Sequence, residues 1–516
     1  MKLTDLLSDL KIIWSKNIDD KVIITDVEYD SRCIKKGNIF FAIKGLQDDG
    51  NLFIEEALNN GASAFVVSKD YYDKAKGTRN ESYKKSFNLV LDKKYPIVVV
   101  EDVVDAVSRA AAVFYKSPSK SLGLIGITGT NGKTSTTFMI ESVLKGAGFV
   151  PGVIGTILYR YKGKEIKEVE YTTPKSLYLE RIIKEMVEEK VTHVAMEVSS
   201  HGIELGRVSD LDFEVAVFTN LTRDHMDFHK DMENYFNAKK KLFTDILPKS
   251  SRKNKFAVVN ADCEYGKKLT DFVKLLSGIK LITYGFNPDS DLWVESYEFN
   301  DSGTIFYVRD AEKTYKFEIS LIGKHNIYNA LAAITVGMKV YGIDYKTVYD
   351  ALANEAVVPG RLERVAKGFN VFVDYAHTDD ALMNVITSLR NVFPEKRIVT
   401  VFGCGGDRDK GKRPKMGKVV SDLSDYSIVT SDNPRDEEPI NIIESIIAGM
   451  RPNCFEVIPD RKMAIKKAIQ NMNKDKEVLL IAGKGHENYQ IIKGVKHHFD
   501  DKEIAKSFLG GSNGNC

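Results

Sequence analysis

Apolar positions along the chain alternate between two rhythms. SLGLIGITG, THVAMEVSS and FEVAVFTNL are short, nearly unbroken apolar runs, and they predict buried strands of a parallel sheet. KTSTTFMIESVLKGAG and LERIIKEMVEEK show helical spacing, and the first is expected to stop at Gly146 and Gly148. Strand–helix alternation of this kind argues for a parallel sheet covered by helices. Upstream, KVIITDVEYDSR and GNIFFAIKG predict short strands and turns, and FIEEALNNGA a helix. SAFVVS and PIVVVED then predict strands and DAVSRAAAVFYK a helix, in a first region expected to end near Ser117-Pro118. Tyr71 to Lys94 is polar, Lys-rich and weakly periodic, so a surface insertion is expected there. Residues 292–320 alternate and carry turn signals, which predicts antiparallel strands beside the main sheet, and the helix HNIYNALAAITVGMKVY follows. After Pro359-Gly360 the pattern restarts, with strands expected at FNVFVDYA, RIVTVFGCG, YSIVTSD and EVLLIAGKG.

The expected fold class is therefore α/β in three domains. Residues 1–118 form a small N-terminal α/β domain and 119–356 a central parallel-sheet domain with an antiparallel side sheet. Residues 357–516 form a C-terminal Rossmann-like domain. A length of 516 residues agrees, at roughly 100–200 residues per domain. Lys and Arg (74) nearly balance Asp and Glu (72), so the net charge of +2 excludes a chain-wide basic surface for nucleic acid. No apolar run approaches the roughly 18 residues of a membrane span. The start, MKLTDLLSDLKIIW, has no signal-peptide layout. The five cysteines (Cys33, Cys263, Cys404, Cys454, Cys516) form no CxxC pair, so neither a disulfide framework nor a zinc knuckle is indicated. A reducing, cytoplasmic location is expected, and GGSNGNC reads as a frayed tail.

Candidate chemistry begins between the first buried strand and its helix. Gly126-Ile127-Thr128-Gly129-Thr130-Asn131-Gly132-Lys133-Thr134 is a Gly-rich turn whose backbone N–H groups can face an anion at the helix N-terminus. Lys133 can add a point charge on the β/γ-phosphates, and the Thr134 hydroxyl can ligate Mg²⁺. Ile127 occupies the first glycine position of the strict GxxxxGK[ST] pattern, so the spacing is GxxGxxGKT instead. Later strand ends carry Glu197, in EVSSHG, and His225, in NLTRDHMDFH; a carboxylate at a strand end faces the crevice where α/β sheets bind ligands. Mg²⁺ prefers oxygen ligands, so chemistry alone makes His225 an unusual partner. In the third region Asp432-Asn433-Pro434-Arg435 reads on its own as an Asx-type turn with a Pro-fixed backbone.

GTNGKT resembles the ATP loop of the Mur ligases, which add amino acids to the bacterial peptidoglycan precursor. EVSSHG, NLTRDHMDFH and the later segments follow in that family's order over essentially the whole chain. The resemblance implies a P-loop ATPase role for the central domain, with ATP on Gly129, Thr130, Asn131, Gly132, Lys133, Thr134 and Ser135, helped by Asn326, Arg361 and Asp374. It implies Mg²⁺ held by Thr134, Glu197, His225 and Lys239. YFNAK matches the family position where the lysine is carbamylated, which would turn the Lys239 cation into an anionic oxygen donor. Lys133, Lys239, Glu197 and His225 are thus the expected catalytic group.

For the substrate ends, DSR before GNIFFAIKG resembles the family's uridine-nucleotide pocket, with Ser31 as the contact. Thr172, Thr173, Ser199 and Arg207 match positions that hold its sugar and peptide. Asn51, Leu205 and Asp379 depart from the family pattern. DNPR matches the signature of diaminopimelate-adding members. Diaminopimelate differs from lysine by one more carboxylate, which an Arg fork can bind bidentately. Arg408, Asp432, Asn433, Pro434, Arg435, Gly483 and Glu487 are the implied contacts. The implied reaction is ATP-driven addition of meso-diaminopimelate to UDP-N-acetylmuramoyl-L-alanyl-D-glutamate, with small molecules as the only partners and a monomer as the expected state. Three alternatives stay open: L-lysine as the added amino acid, a folylpolyglutamate synthase, and a non-catalytic P-loop switch.

Overall fold

The computed structural model describes residues 1–516 except 46–47, 78–80, 167–170, 301–302, 312, 355–357, 367 and 510–516. The expected boundary at 356/357 and the expected frayed tail lie outside the described residues. Among the described residues the strands form sheets of five, eleven and six strands and a two-stranded ribbon.

The first sheet is parallel except for Ile12–Lys16, which pairs antiparallel with Ile97–Val100 at one edge. Apolar cores lie on both of its faces. The surface insertion expected over Tyr71 to Lys94 is corrected by the structure. Lys69–Lys76 and Glu81–Asp92 are helices, and Tyr71, Ala75, Tyr83, Phe87 and Val90 are buried between them and the sheet. These residues recur at intervals of three and four, one helical face each, and the intervening lysines mask that period.

The central sheet is organised around Gly123–Thr128. This strand is buried throughout and runs parallel between His193–Glu197 and Val215–Phe218. Its register sets the height of the strand ends: Glu197 pairs with Ile127, and Phe218 with Thr128. Three strands therefore end at one level, beside the Gly-rich turn. Leu292–Asn300 joins the sheet parallel to Ile279–Gly285, and Leu292–Asn300, Gly303–Asp310 and Lys313–Ile319 then pair antiparallel in that order, as expected. The helices Lys133–Gly146 and Lys324–Ile334 pack on one face. Ser176–Glu188 joins this domain to the first. Its Leu177 sits in the first domain's core, and Arg181 donates to Glu28 (Nη1 to Oε2, 3.0 Å), the Val27 carbonyl (2.7 Å) and the Tyr115 hydroxyl (2.8 Å).

The third sheet runs in the order Glu363–Arg364, Val371–Asp374, Glu477–Ala482, Arg397–Phe402, Tyr426–Val429, Phe455–Val457, and is parallel except for its first strand. The loops after its four middle strands open toward the central domain's strand ends. A hairpin of Tyr489–Ile492 and Val495–His498 closes the loop that follows Glu477–Ala482. Among the described residues no helix is long and apolar enough to cross a membrane.

Candidate active site

The Gly-rich turn needs its glycines for two separate reasons. Gly129 has φ +150° and Gly132 φ +85°, in the region that favours glycine. A Cβ on Gly129 would also lie 1.9 Å from Thr219 Oγ1, and one on Gly132 2.2 Å from Asn329 Oδ1. The turn is pinned to the next strand end by Thr130 N to the Asn220 carbonyl and Asn131 N to Asn220 Oδ1, both 2.9 Å. Lys133 opens the helix, and its Nζ donates to the carbonyls of Gly129 and Thr130, each at 2.9 Å. Thr134 Oγ1 donates to Glu197 Oε1 at 3.0 Å, and Glu197 also accepts from Thr156 N (2.9 Å) and Thr156 Oγ1 (3.0 Å).

Behind the turn lies Lys239, on the Met232–Lys241 helix and only 1% exposed. Its Nζ donates to the Gly129 carbonyl at 2.8 Å and stands 4.6 Å from the centre of the Tyr235 ring. Burial, then repulsion from Lys133, holds the Lys239 ammonium well below the ordinary lysine range. Burial lowers Lys133 too, against the opposing pull of Glu197 and Asp224. His225 caps the Met226–His229 helix at a left-handed φ of 56°. Its ring centre lies 4.9 Å from that of His201 and 6.2 Å from that of Tyr235. Lys239 and His225 thus flank the same tyrosine.

The third domain supplies the opposite wall. Arg361 Nη2 reaches Thr134 Oγ1 at 3.5 Å, its guanidinium lies 4.7 Å from the Tyr375 ring centre, and its Nε is buried without a partner among the described residues. Asp374 accepts from Leu362 N (2.6 Å) and Ala376 N (2.7 Å), and burial raises its pKa. Asn326 donates to the Ile322 carbonyl and accepts from Asn329. The DNPR segment is a turn, with Arg435 at φ 53°, and its Asn433 side chain bonds across to the 484–491 loop. Asn433 Nδ2 donates to Glu487 Oε2 at 2.9 Å, and Asn433 Oδ1 accepts from Ile491 N at 3.0 Å. Arg435 donates to the Gly406 carbonyl at 2.7 Å. Burial raises the Glu487 pKa, with Lys484 opposing it.

Both walls face one cleft of about 1150 Å³. Of the expected residues it is lined by Thr130 to Ser135, Thr172, Glu197, Ser199, His225, Asn326, Arg361 and Asp374. From the third domain's outer loops it is lined by Arg408, Asp432, Asn433, Arg435, Gly483 and Glu487. Gly129, Lys239 and Pro434 sit behind the lining. Thr173 is fully buried and bonds the Glu197 carbonyl and Ser199 N; Arg207 donates to the Thr173 carbonyl at 2.8 Å and stacks 4.4 Å from the Tyr171 ring centre. Ser31 is apart from the cleft, in the first domain, with its hydroxyl on Glu56 Oε2 at 2.6 Å. Sequence reasoning missed Asp224, His377, Asp380 and His486, which also line the cleft, and the buried Lys484. Lys484 had one available signal: it sits between Gly483 and Glu487, both singled out.

A Mg²⁺ ion fits part of this donor set. Among the described residues no three His, Cys, Asp or Glu side chains gather into a metal cage. Mg²⁺ is commonly held by one or two carboxylates together with phosphate oxygens and water. The Thr134 hydroxyl beside Glu197, on a phosphate-type loop, matches that pattern. Unmodified, Lys239 offers no anionic oxygen to a cation.

Fold and cleft together define a three-domain P-loop protein whose third domain faces the phosphate loop. Family models for the Mur ligase family catalytic domain, the Mur ligase middle domain and the Mur ligase glutamate ligase domain match residues 23–115, 127–337 and 360–485. The chain belongs to the Mur ligase family, and it is a ligase. It is 41% identical over 513 residues to the UDP-N-acetylmuramoyl-L-alanyl-D-glutamate–2,6-diaminopimelate ligase of Clostridium botulinum, covering 99% of each chain. It is 42% identical over 502 residues to the enzyme of that name from Fusobacterium nucleatum, covering 96% of each. A solved structure of a ligase with the same name superposes with a TM-score of 0.67 at 28% identity, covering 100% of both chains.

Proposed function

We propose that the chain joins meso-diaminopimelate to the D-glutamate of UDP-N-acetylmuramoyl-L-alanyl-D-glutamate, driven by ATP. The observation that carries this reading is the single cleft with the GTNGKT loop on one wall and DNPR with Glu487 on the other. A transferable phosphate and an incoming amine would meet there. The names of the similar ligases and the DNPR segment both favour diaminopimelate over L-lysine.

The chemistry has two steps. A side-chain carboxylate oxygen of D-glutamate attacks the γ-phosphorus, ADP leaves, and an acyl phosphate forms. The diaminopimelate amine then attacks the acyl carbon, phosphate leaves, the nitrogen gives up a proton, and an amide remains. The turn's N–H groups and Lys133 would hold the phosphates and neutralise charge spread over their oxygens. Arg361, with its unpartnered Nε and its reach to Thr134, would close the nucleotide from the third domain. Arg408 and Arg435 would take the carboxylates of the amino acid and Glu487 its ammonium. Bound beside Thr134 and Glu197, with His225 and modified Lys239 nearby, Mg²⁺ would supply Lewis-acid charge neutralisation.

Lys239 is suited to carbamylation. It is buried, and its lowered pKa favours the neutral amine, the form that attacks CO₂ and loses a proton as the carbamate forms. Ser31, Thr172, Thr173, Ser199 and Arg207 are read as the nucleotide-sugar end. We further read the protein as a cytoplasmic monomer; a dimer mass by light scattering would contradict the second part.

The decisive assay supplies ATP, Mg²⁺ and UDP-N-acetylmuramoyl-L-alanyl-D-glutamate, and tracks phosphate release with meso-diaminopimelate, L-lysine or neither. Diaminopimelate-dependent release is expected. Faster turnover with lysine would sink the DNPR argument, and release independent of any amino acid would sink the ligase reaction itself.

A further inference from the structure

We propose that Lys484 is a positioning residue for amino-acid recognition: its buried ammonium fixes the Asn433 amide and the Glu487 carboxylate, so that Glu487 offers its second oxygen to the ligand's ammonium. This deepens the proposed diaminopimelate-adding function and rests on it.

Two glycines aim the lysine inward. Gly483 (φ +119°) and Gly485 (φ +55°) bend the chain after the Glu477–Ala482 strand. A Cβ on Gly483 would lie 2.5 Å from Asp432 Oδ2, and one on Gly485 2.7 Å from the Tyr375 Cβ, so the backbone itself packs against both loops. Gly483 and Gly485 line the cleft, whereas Lys484 is fully buried behind it.

The hydrogen bonds form a one-way chain. Lys484 Nζ has no acceptor capacity; it donates to Asn433 Oδ1 at 3.1 Å and to Glu487 Oε2 at 3.3 Å. Asn433 Oδ1 also receives Ile491 N. With two donors on its oxygen, the Asn433 amide must turn Nδ2 toward Glu487, where it donates at 2.9 Å. Glu487 Oε2 thereby receives two donors, and Oε1 has no hydrogen-bond partner among the described residues. Without the lysine, the amide loses one of the two donors that set its orientation and the carboxylate loses a cation.

Charge supports the same assignment. Asp432 and Glu487 face one lysine here, because the nearby Arg461 is taken up by Asp501 in a fully buried pair at 2.6 Å. Among these five groups, setting aside Arg408 and Arg435, which are read as facing the ligand's carboxylates, three carboxylates meet two cations, and an incoming ammonium would cancel the difference.

The test compares Lys484→Met and Lys484→Gln with wild type, measuring KM separately for diaminopimelate, ATP and the nucleotide-sugar dipeptide, with melting recorded for each. Lys484→Met is expected to raise KM for diaminopimelate about tenfold or more, with the other two KM values within about twofold. Glu487→Gln should then cost less in the Lys484→Met background than in wild type, since both act on one carboxylate. A KM for diaminopimelate within about twofold of wild type, or fully additive effects, would overturn the assignment. Loss of folding in both variants would also overturn it, marking the lysine as purely structural. These outcomes are read with wild-type turnover intact; wild type that ignores diaminopimelate overturns the underlying reaction as well.

Discussion

The phosphate loop and the DNPR region both prepare for charged ligands, and they hold charge in opposite ways. In the phosphate loop Lys133 and Lys239 converge on one carbonyl, that of Gly129, and among the described residues their ammonium groups meet backbone carbonyls. In the DNPR region each buried cation has a carboxylate: Arg461 with Asp501, Lys484 with Glu487, Arg413 with Glu437 at 2.7 Å. A loop whose lysines bond to carbonyls, with Glu197 and Asp224 acting on them only at longer range, suits a polyanion, which completes it on binding. A nearly balanced pocket suits a zwitterion, where a large net field of either sign would repel one end. The difference also separates cost from gain. Burying an unpaired ammonium destabilises the empty protein, whereas breaking a buried pair destabilises it further.

The largest expected effect is at the unbalanced site. Lys133→Ala should reduce turnover about 10³-fold, as loss of a transition-state donor does, with the fold intact by circular dichroism. Turnover within about tenfold of wild type, on that same scale, would remove this lysine from the chemistry. At the balanced site the effect should fall on stability instead. Arg461→Met leaves Asp501 unpaired in the interior and should cost about 3–5 kcal/mol in urea unfolding. A neutral result would mean that the two regions do not differ in how they hold charge.

Lys239→Met sharpens the contrast, because it should act in both directions. Activity should fall about 10²-fold, with partial rescue by small carboxylates if a carbamate oxygen is what the residue supplies. In CO₂-free buffer its stability should exceed that of wild type. The sign comes from proton uptake: the native lysine titrates below its unfolded value of 10.5, so across that window the unfolded chain holds the proton more tightly. The Lys239 contribution to wild-type stability therefore rises with pH up to about 10.5, and the mutant's advantage should shrink over the same range. An advantage that does not vary with pH would refute this. A smaller effect is expected for Arg435→Ala, which should raise KM for diaminopimelate about tenfold, with Arg435→Lys in between because a point charge replaces a fork. Unchanged KM would leave Arg408 as the only candidate for the second carboxylate.

How much of the molecule is readable in its sequence depends on how local each feature is. The strand, glycines and helix of the phosphate loop are contiguous, so their pattern announces them, and Glu197 is marked by the strand it ends. The helices at 69–76 and 81–92 are equally local, yet their buried tyrosines and phenylalanine are spaced out among lysines, and composition hides the period. Features made by distant pieces left little trace. Lys484 acquires its role only where the 432–435 turn meets the 484–491 loop, and Arg181 only where two domains dock. The DNPR segment shows both cases, since its turn is local but the partners of Asn433 are about 50 residues away.

Asp380 is the clearest instance of a distant contact, and it bridges the unbalanced and the balanced region. It lies in the first turn of the third domain's Asp379–Val392 helix, and its Oδ2 accepts from Asn131 Nδ2 at 2.7 Å and from Thr222 Oγ1 at 3.3 Å. Asn131 is the tip of the phosphate loop, so this carboxylate ties the loop to the domain that carries the DNPR segment. Burial raises its pKa, which fits an acceptor among neutral amide and hydroxyl donors more than a partner in an ion pair. Asp380→Ala should therefore raise KM for ATP only about threefold to tenfold, the worth of one or two neutral hydrogen bonds. Asp380→Asn, which keeps an acceptor oxygen at that place, should stay within about twofold of wild type. If Asn and Ala are equally impaired, the charge rather than the hydrogen bond couples the two domains, and the phosphate loop depends less on its own backbone and lysines than its contrast with the DNPR region implies.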